Sequence, residues 1–92
     1  MGVPDGSKSQ SAVTSLASLS LNQSAAITAL RMAEREAAWL RAIGLGEGIT
    51  VTVLRKAPLG GPLHVRVSGG AELAVDRELA RHVEIERSQA PA

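Results

Sequence analysis

The chain is 92 residues long, which leaves room for one hydrophobic core, and its composition of 45% hydrophobic and 21% charged residues is ordinary for a folded domain. Ten basic and nine acidic residues give a net charge of +1, so the composition carries no electrostatic signature of binding to nucleic acid or an anionic membrane. Cysteine is absent, which excludes disulfides, thiolate metal sites and a thiol nucleophile, and Trp39 is the only aromatic residue, so we expect a core of Val, Leu, Ile and Ala.

The two ends of the chain differ in composition from the part between them. Residues 1–13 are rich in Gly, Ser, Pro and Gln, and residues 88–92 are similarly poor in large apolar side chains, so we expect two disordered tails. Residues 14–87 are then the single folded domain. Near its start, Leu16 and Leu19 have the spacing of one turn packed against an edge.

The first regular elements predicted are a strand at residues 25–30 and a helix at residues 32–43. The helical segment MAEREAAWLRAI consists of strong helix formers and has Glu34 near its positive end. Gly44 follows it and can take the left-handed conformation that is common at helix ends. Trp39 is expected at the edge of the apolar stripe. The stripe itself, with spacings of three and four, comprises Ala33, Ala37, Leu40 and Ile43.

After residue 48 the hydrophobic period changes to two, which predicts four strands following the helix. The SGG sequence at residues 68–70 predicts a tight hairpin turn, and residues 76–80 suit a single helical turn before the last strand. The predicted fold is therefore mainly β, a small five-stranded barrel with one α-helix inserted after the first strand. Its inward-facing strand residues are Ile49, Val51, Val53, Leu63, Val65, Val67, Leu73, Val75, Val83 and Ile85.

Three blocks of sequence indicate a family. They are LRAIGLGEG at residues 40–48, APLGGPLHV at residues 57–65, and LAV at residues 73–75 followed by AxxVEI at residues 80–85. In order and spacing they resemble the FeoA family of ferrous iron transport accessory proteins, over residues 16–86. The resemblance implies an SH3-like barrel and a cytoplasmic role with the membrane G protein that moves ferrous iron. A similar module is also attached to metal-dependent repressors of the diphtheria-toxin type.

The chain departs from the family pattern in two turns. Asn22, with Gln23 and Ser24, stands after the opening Leu-x-x-Leu where the family usually has Gly, and Glu47 stands where Pro is frequent. Asn tolerates left-handed backbone geometry, so we expect the fold to be preserved.

The sequence shows no set of residues arranged for catalysis. It lacks a nucleophile elbow, a P-loop, an HExxH motif and a close pair of acids, so we predict that the chain is not an enzyme. His64 and His82 are predicted on strand faces opposite the core, with Glu84 two positions beyond His82, and such a set could hold ferrous iron. Because no ligand-spaced motif accompanies them, we interpret them as half-exposed polar residues and predict no metal ligand and no cofactor.

Two apolar features favour a partner protein. Trp39 at the helix edge is of the residue type most enriched at interfaces, although sealing one end of the barrel is an equally good interpretation. Leu59 lies in a loop of Pro and Gly where turn chemistry alone would prefer a polar residue. The predicted partner-binding residues are Trp39, Leu45, Pro58, Leu59, Gly60, Gly61 and Pro62.

The leading hypothesis is a cytoplasmic accessory or regulatory protein of ferrous iron uptake. It would bind the membrane iron-transporting G protein without inserting into the membrane or binding nucleic acid, and homo-oligomer formation is left open. The alternative is a stand-alone ligand- or partner-binding SH3-like domain related to the C-terminal module of metal-dependent repressors. An RNA-binding barrel ranks last, because one Trp and balanced charge are a poor basis for base stacking.

Overall fold

The computed structural model describes residues 13–87, so the predicted tails at residues 1–13 and 88–92 lie outside it, apart from residue 13. No helix in this part has the length and apolar character that crossing a bilayer requires. A short 3₁₀ turn, Leu16–Ser18, lies where a single turn was predicted. In chain order the described elements are β1 (Val13–Ser15), β2 (Ser24–Leu30), α1 (Glu34–Ala42), β3 (Thr50–Lys56), β4 (Leu63–Val67), β5 (Glu72–Val75), α2 (Arg77–Ala80) and β6 (Val83–Arg87).

The six strands form one antiparallel sheet in the order β1-β6-β2-β3-β4-β5. The prediction of a mainly β fold is confirmed, whereas the count of five strands is wrong because β1 was not expected. β1 pairs with β6 from Val13↔Glu86 to Ser15↔Glu84, and three residues are too few to show a period of two. Helix α1 consequently follows the second strand and not the first, and α2 is the single helical turn expected before the last strand.

The sheet and α1 enclose one aliphatic core. In β3, Val51 and Val53 are fully buried while Thr50 is exposed, as the period of two requires. Helix α1 buries Ala37 and Leu40, two positions of the predicted stripe. The largest fully buried side chains are Leu16, Leu19, Ile27, Leu40, Leu45, Leu63, Ile85, Val51, Val53, Val65 and Val83.

Two non-glycine residues of the described chain have a positive φ angle. One is Asn22, with φ 65°, at the turn where the family usually has Gly. Its backbone N–H donates to the carbonyl of Val53 at 2.7 Å, which fixes the turn against β3. Asn is one of the few residues that adopt this conformation at low cost, so the departure from the family pattern leaves the fold intact, as predicted. The other residue is Leu59, in the loop between β3 and β4.

Candidate partner-binding site

The loop at residues 57–62, which joins β3 to β4, is a tight turn. The N–H of Ala57 donates to the carbonyl of Pro62 at 3.0 Å, and the N–H of Gly61 donates to the carbonyl of Pro58 at 3.1 Å. The two residues between Pro58 and Gly61 both have positive φ angles, 60° at Leu59 and 75° at Gly60. These are the φ signs of a type I′ turn, in which Asn, Asp or Gly normally occupies the first central position.

Leu59 is both exposed and conformationally strained. Its exposed fraction is 103%, so it packs against nothing in the described part of the chain. A left-handed backbone costs a residue with a branched apolar side chain about 1–2 kcal/mol, which Asn or Gly would largely avoid. Neither the core nor the turn therefore explains a leucine at this position. Strained residues of this kind are concentrated at ligand and partner sites.

Arg77, the first residue of α2, donates two hydrogen bonds to the loop. Its Nε donates to the carbonyl of Gly61 at 3.0 Å, and its Nη2 donates to the carbonyl of Ala57 at 3.1 Å. Asp76 caps the helix by accepting from the N–H of Glu78 at 3.0 Å, which fixes the position of Arg77. The guanidinium thus connects both sides of the turn to α2. The sequence analysis missed Arg77, because nothing in the local sequence shows which carbonyls it reaches.

Gly61 permits the close approach of the two sides of the loop. A Cβ at this position would lie 2.7 Å from the Cβ of Ala57, which is closer than non-bonded carbon atoms approach each other in proteins. The loop in its present form therefore requires Gly at residue 61. The backbone of the loop is therefore held by Gly61 and by the hydrogen bonds from Arg77, while the side chain of Leu59 remains exposed to solvent.

A groove of about 300 Å³ lies beside the loop on the outer face of the sheet. A register shift in β3 between Val53 and Arg55 places Arg55 opposite His64 on β4. His64 is in turn opposite Ala74 on β5, so one row of side chains crosses the groove. The residues that line it are Arg55, Lys56, Ala57, Pro58, Pro62, Leu63, His64 and Ala74.

The residues that the sequence analysis assigned to partner binding belong to different parts of the fold. Trp39 is 56% exposed on α1, which precedes β3, whereas the loop at residues 57–62 follows β3. Strand β3, with seven residues and a length of roughly 20 Å, stands between these two features along the chain. Leu45 has no exposed surface and belongs to the core. Its burial leaves no apolar surface for a partner to contact, so it is omitted from the site.

The two histidines lie beside different carboxylates. Nε2 of His64 lies 3.0 Å from Oε1 of Glu72, and Nε2 of His82 lies 3.5 Å from Oε2 of Glu78. Glu84 bonds instead to the guanidinium of Arg31, at 3.3 Å. His82 precedes β6 in a turn, so it does not lie on a strand face as the sequence suggested. Within residues 13–87 there is no group of three or more His, Cys, Asp or Glu side chains placed to share a metal ion.

Glu47, in the turn that follows α1, forms an ion pair with Arg41. Its two carboxylate oxygens accept from Nε and Nη2 of Arg41, both at 3.0 Å. These hydrogen bonds, aided by a backbone hydrogen bond, lower the pKa of Glu47 to about 2, and the carboxylate raises the pKa of Arg41 further above its usual range. The Glu that replaces the frequent Pro of the family thus connects the turn to the helix.

Comparison with known families gives a direct match. The model of the FeoA domain matches residues 14–87, which is most of the chain, and the chain therefore belongs to the FeoA family. The resemblance noted in the sequence is confirmed. No curated protein matches the chain in sequence.

Solved structures of FeoA proteins are similar to the chain. FeoA from Chlorobium tepidum has 27% identity and a TM-score of 0.75, over 85% of this chain and 73% of its own. FeoA from Stenotrophomonas maltophilia, solved with zinc and described as a prokaryotic SH3 domain protein and candidate activating factor of ferrous iron transport, has 29% identity and a TM-score of 0.63, over 77% of this chain and 87% of its own. The SH3-like character of the fold agrees with that description.

A manganese-dependent transcriptional repressor shares the fold at lower identity. It has 14% identity and a TM-score of 0.75, and the match covers 84% of this chain but 37% of the repressor. At this identity the likeness concerns the fold alone. It agrees with the expectation that a similar module occurs in metal-dependent repressors.

Proposed function

We propose that this FeoA-family chain is a cytoplasmic accessory or regulatory protein of ferrous iron uptake, and that it binds the membrane iron-transporting G protein through the loop at residues 57–62. A structural relative with 25% identity and a TM-score of 0.72 is an iron uptake regulatory protein, FeoA, which supports the iron-uptake assignment. The proposed action is binding without a catalytic step, and we assign the chain no metal ligand and no cofactor.

The observation that carries the proposal is the environment of Leu59. A fully exposed leucine with a φ of 60° strains the backbone and gains nothing from folding, because its apolar side chain stays in water. Burial of that side chain against a partner would contribute apolar binding energy. Pro58, Gly60, Gly61 and Pro62 then give the turn its shape, and Arg77 fixes its position relative to the sheet.

Trp39 is proposed as a second and separate contact. It is the only aromatic residue of the chain, it is more than half exposed, and Trp is the residue type most enriched among interface hot spots. Trp39 lies on α1 and Leu59 in the loop that follows β3, so the two residues are proposed as separate contacts. Substitution of either residue is therefore expected to weaken binding independently of the other.

The likeness to a repressor module favours a second candidate function, a ligand- or partner-binding domain of the kind found in metal-dependent regulators. This candidate differs from the first in its partner, which would be a DNA-binding domain. Co-purification of the chain with a helix-turn-helix protein, in cells where it does not co-purify with the iron transporter, would favour it.

The test compares Leu59→Asp with Leu21→Asp in cells that lack the native protein. Leu21 is the matched control because it is also an exposed leucine in a turn, with 52% exposure. Both variants should fold within about 0.5 kcal/mol of wild type, as surface changes generally do. Leu59→Asp should lose ferrous iron uptake and Leu21→Asp should retain it. Full uptake with a folded Leu59→Asp protein would exclude the loop from the functional surface.

A further inference from the structure

The loop between β3 and β4 has a shape that its own sequence does not favour. Leu59 occupies the first central position of the turn with a φ of 60°, where a leucine is disfavoured relative to extended or right-handed helical backbone. Two backbone hydrogen bonds close the turn, and neither involves Leu59. The observed conformation therefore requires support from another part of the fold.

Arg77 supplies that support from α2. Its planar guanidinium donates from two nitrogens to carbonyls on the two sides of the turn, Gly61 at 3.0 Å and Ala57 at 3.1 Å. Two donors in fixed relative positions set the separation of these two carbonyls, which a single ammonium cannot do. No carboxylate in the described part of the chain pairs with Arg77, and its side-chain hydrogen bonds there go to these carbonyls alone.

The backbone of Arg77 is itself held in place. The carboxylate of Asp76 caps α2 by accepting from the N–H groups of Glu78 at 3.0 Å and Leu79 at 3.4 Å. Ala80, the last residue of α2, is completely buried, and its N–H donates to the carbonyl of Asp76 at 2.9 Å. The helical turn is thus fixed against the core, so the guanidinium extends to the loop from a rigid base.

We infer that Arg77 is a positioning residue of this loop, which holds Leu59 in its binding conformation before the partner arrives. The inference rests on the proposed function. A partner that selects one conformation binds with an apparent dissociation constant divided by the fraction of protein in that conformation. Removal of Arg77 lowers this fraction, because the strain at Leu59 then favours other loop conformations. Binding should consequently weaken although Arg77 does not touch the partner.

The experiment measures affinity and loop protection in the same variants of the full chain. Arg77→Ala removes both hydrogen bonds to the loop, and Arg81→Ala removes an equal charge just beyond α2. Ile85→Val is a core variant with an expected loss of stability similar to that of Arg77→Ala. Binding to the detergent-solubilised ferrous iron transporter is measured by calorimetry well below all melting temperatures. Amide hydrogen exchange follows the N–H groups of Ala57 and Gly61.

The expected result is a change in both quantities for one variant only. Arg77→Ala should bind roughly 5- to 20-fold more weakly than wild type, which corresponds to a binding-competent fraction of roughly 5–20%. Exchange at Ala57 and Gly61 should accelerate in this variant while exchange in the core strands remains slower. Arg81→Ala and Ile85→Val should stay within about 2-fold of wild-type affinity and keep the protection of the loop.

The other outcomes would overturn the inference. Wild-type affinity of Arg77→Ala, together with lost binding of Leu59→Asp, would remove the positioning role and leave the proposed function intact. Equal weakening by Ile85→Val would show a general effect of stability. Weaker binding of Arg77→Ala with unchanged exchange in the loop would make Arg77 a direct contact with the partner. Full binding by Leu59→Asp, or no binding by the wild-type chain, would refute the proposed function and this inference with it.

Discussion

The two glycine-rich turns of the chain, residues 44–48 (GLGEG) and residues 57–62 (APLGGP), each contain one leucine, and the two leucines have opposite environments. Leu45 is completely buried in the core, whereas Leu59 is completely exposed. The sequence gives both the same appearance, an apolar residue next to glycine between two regular elements.

The backbone accounts for the difference between the two turns. In residues 44–48 the glycines take the left-handed conformations, with φ of 107° at Gly44 and 87° at Gly48, and the N–H of Leu45 donates to the carbonyl of Leu40 at 2.8 Å. The leucine is thereby placed in the core without strain. In the loop, Leu59 itself takes the left-handed conformation. Core packing explains the leucine of the first turn. The leucine of the second turn contributes nothing to the fold, so its presence requires another explanation.

The largest expected effect is the difference in free energy of unfolding between the variants Leu45→Ala and Leu59→Ala. Removing the buried side chain should lower the free energy of unfolding by about 2–5 kcal/mol, because transfer energy is lost and a cavity remains. Leu59→Ala should change it by less than about 0.5 kcal/mol. Urea titration of both variants checks this. Equal losses of stability would remove the distinction between the two turns.

A smaller effect is expected where α2 bonds the loop. Arg77→Ala removes two charge-assisted hydrogen bonds to loop carbonyls that water can partly replace, so a loss of about 1–2 kcal/mol is expected. Arg77→Lys should lose nearly as much, since an ammonium cannot form both bonds of the planar guanidinium. Arg81→Ala is the control, because Arg81 bonds only to exposed Glu78 in the described chain. Thermal melting of the three variants measures the effect, and an Arg77→Ala protein as stable as Arg81→Ala would contradict it.

The smallest effect is expected for the exposed ion pair of the turn at residues 44–48. Because the pKa of Glu47 is lowered to about 2 from 4.5, the ionised carboxylate stabilises the fold above about pH 4.5, and this contribution is lost as the pH falls towards 2. Glu47→Gln should therefore reduce the melting temperature at pH 7, and this reduction should become much smaller as the pH falls to 2 and below. Glu86→Gln is the control, since Glu86 has no ion pair in the described part of the chain. A difference that persists unchanged at pH 2 would contradict the role of the ion pair.

The sequence predicted the parts of the fold that repeat a pattern. The period of two identified β3, β4, β5 and β6, and the helical stripe placed α1 within two residues of its observed bounds. β1 was missed because it has only three residues, and its partner lies at the other end of the chain.

The candidate site was predictable only in part for a related reason. APLGGP marks a turn, and a leucine in it stands out against turn chemistry. That Leu59 has a left-handed backbone while Leu45 is buried depends on how distant strands pack, as do the bonds from Arg77 to the loop. No pattern within either turn contains that information.

The most direct test of the central claim, that Leu59 serves the partner and not the fold, is the affinity of Leu59→Asn for the solubilised ferrous iron transporter. Asn suits the left-handed position, so the variant should gain about 0.5–1 kcal/mol, or roughly 2–8 °C in melting temperature. Its affinity should nevertheless fall about 10-fold or more, because the buried apolar contact is lost, while Leu21→Asn should change neither quantity. A Leu59→Asn protein that melts lower than wild type and binds the transporter equally well would contradict the account.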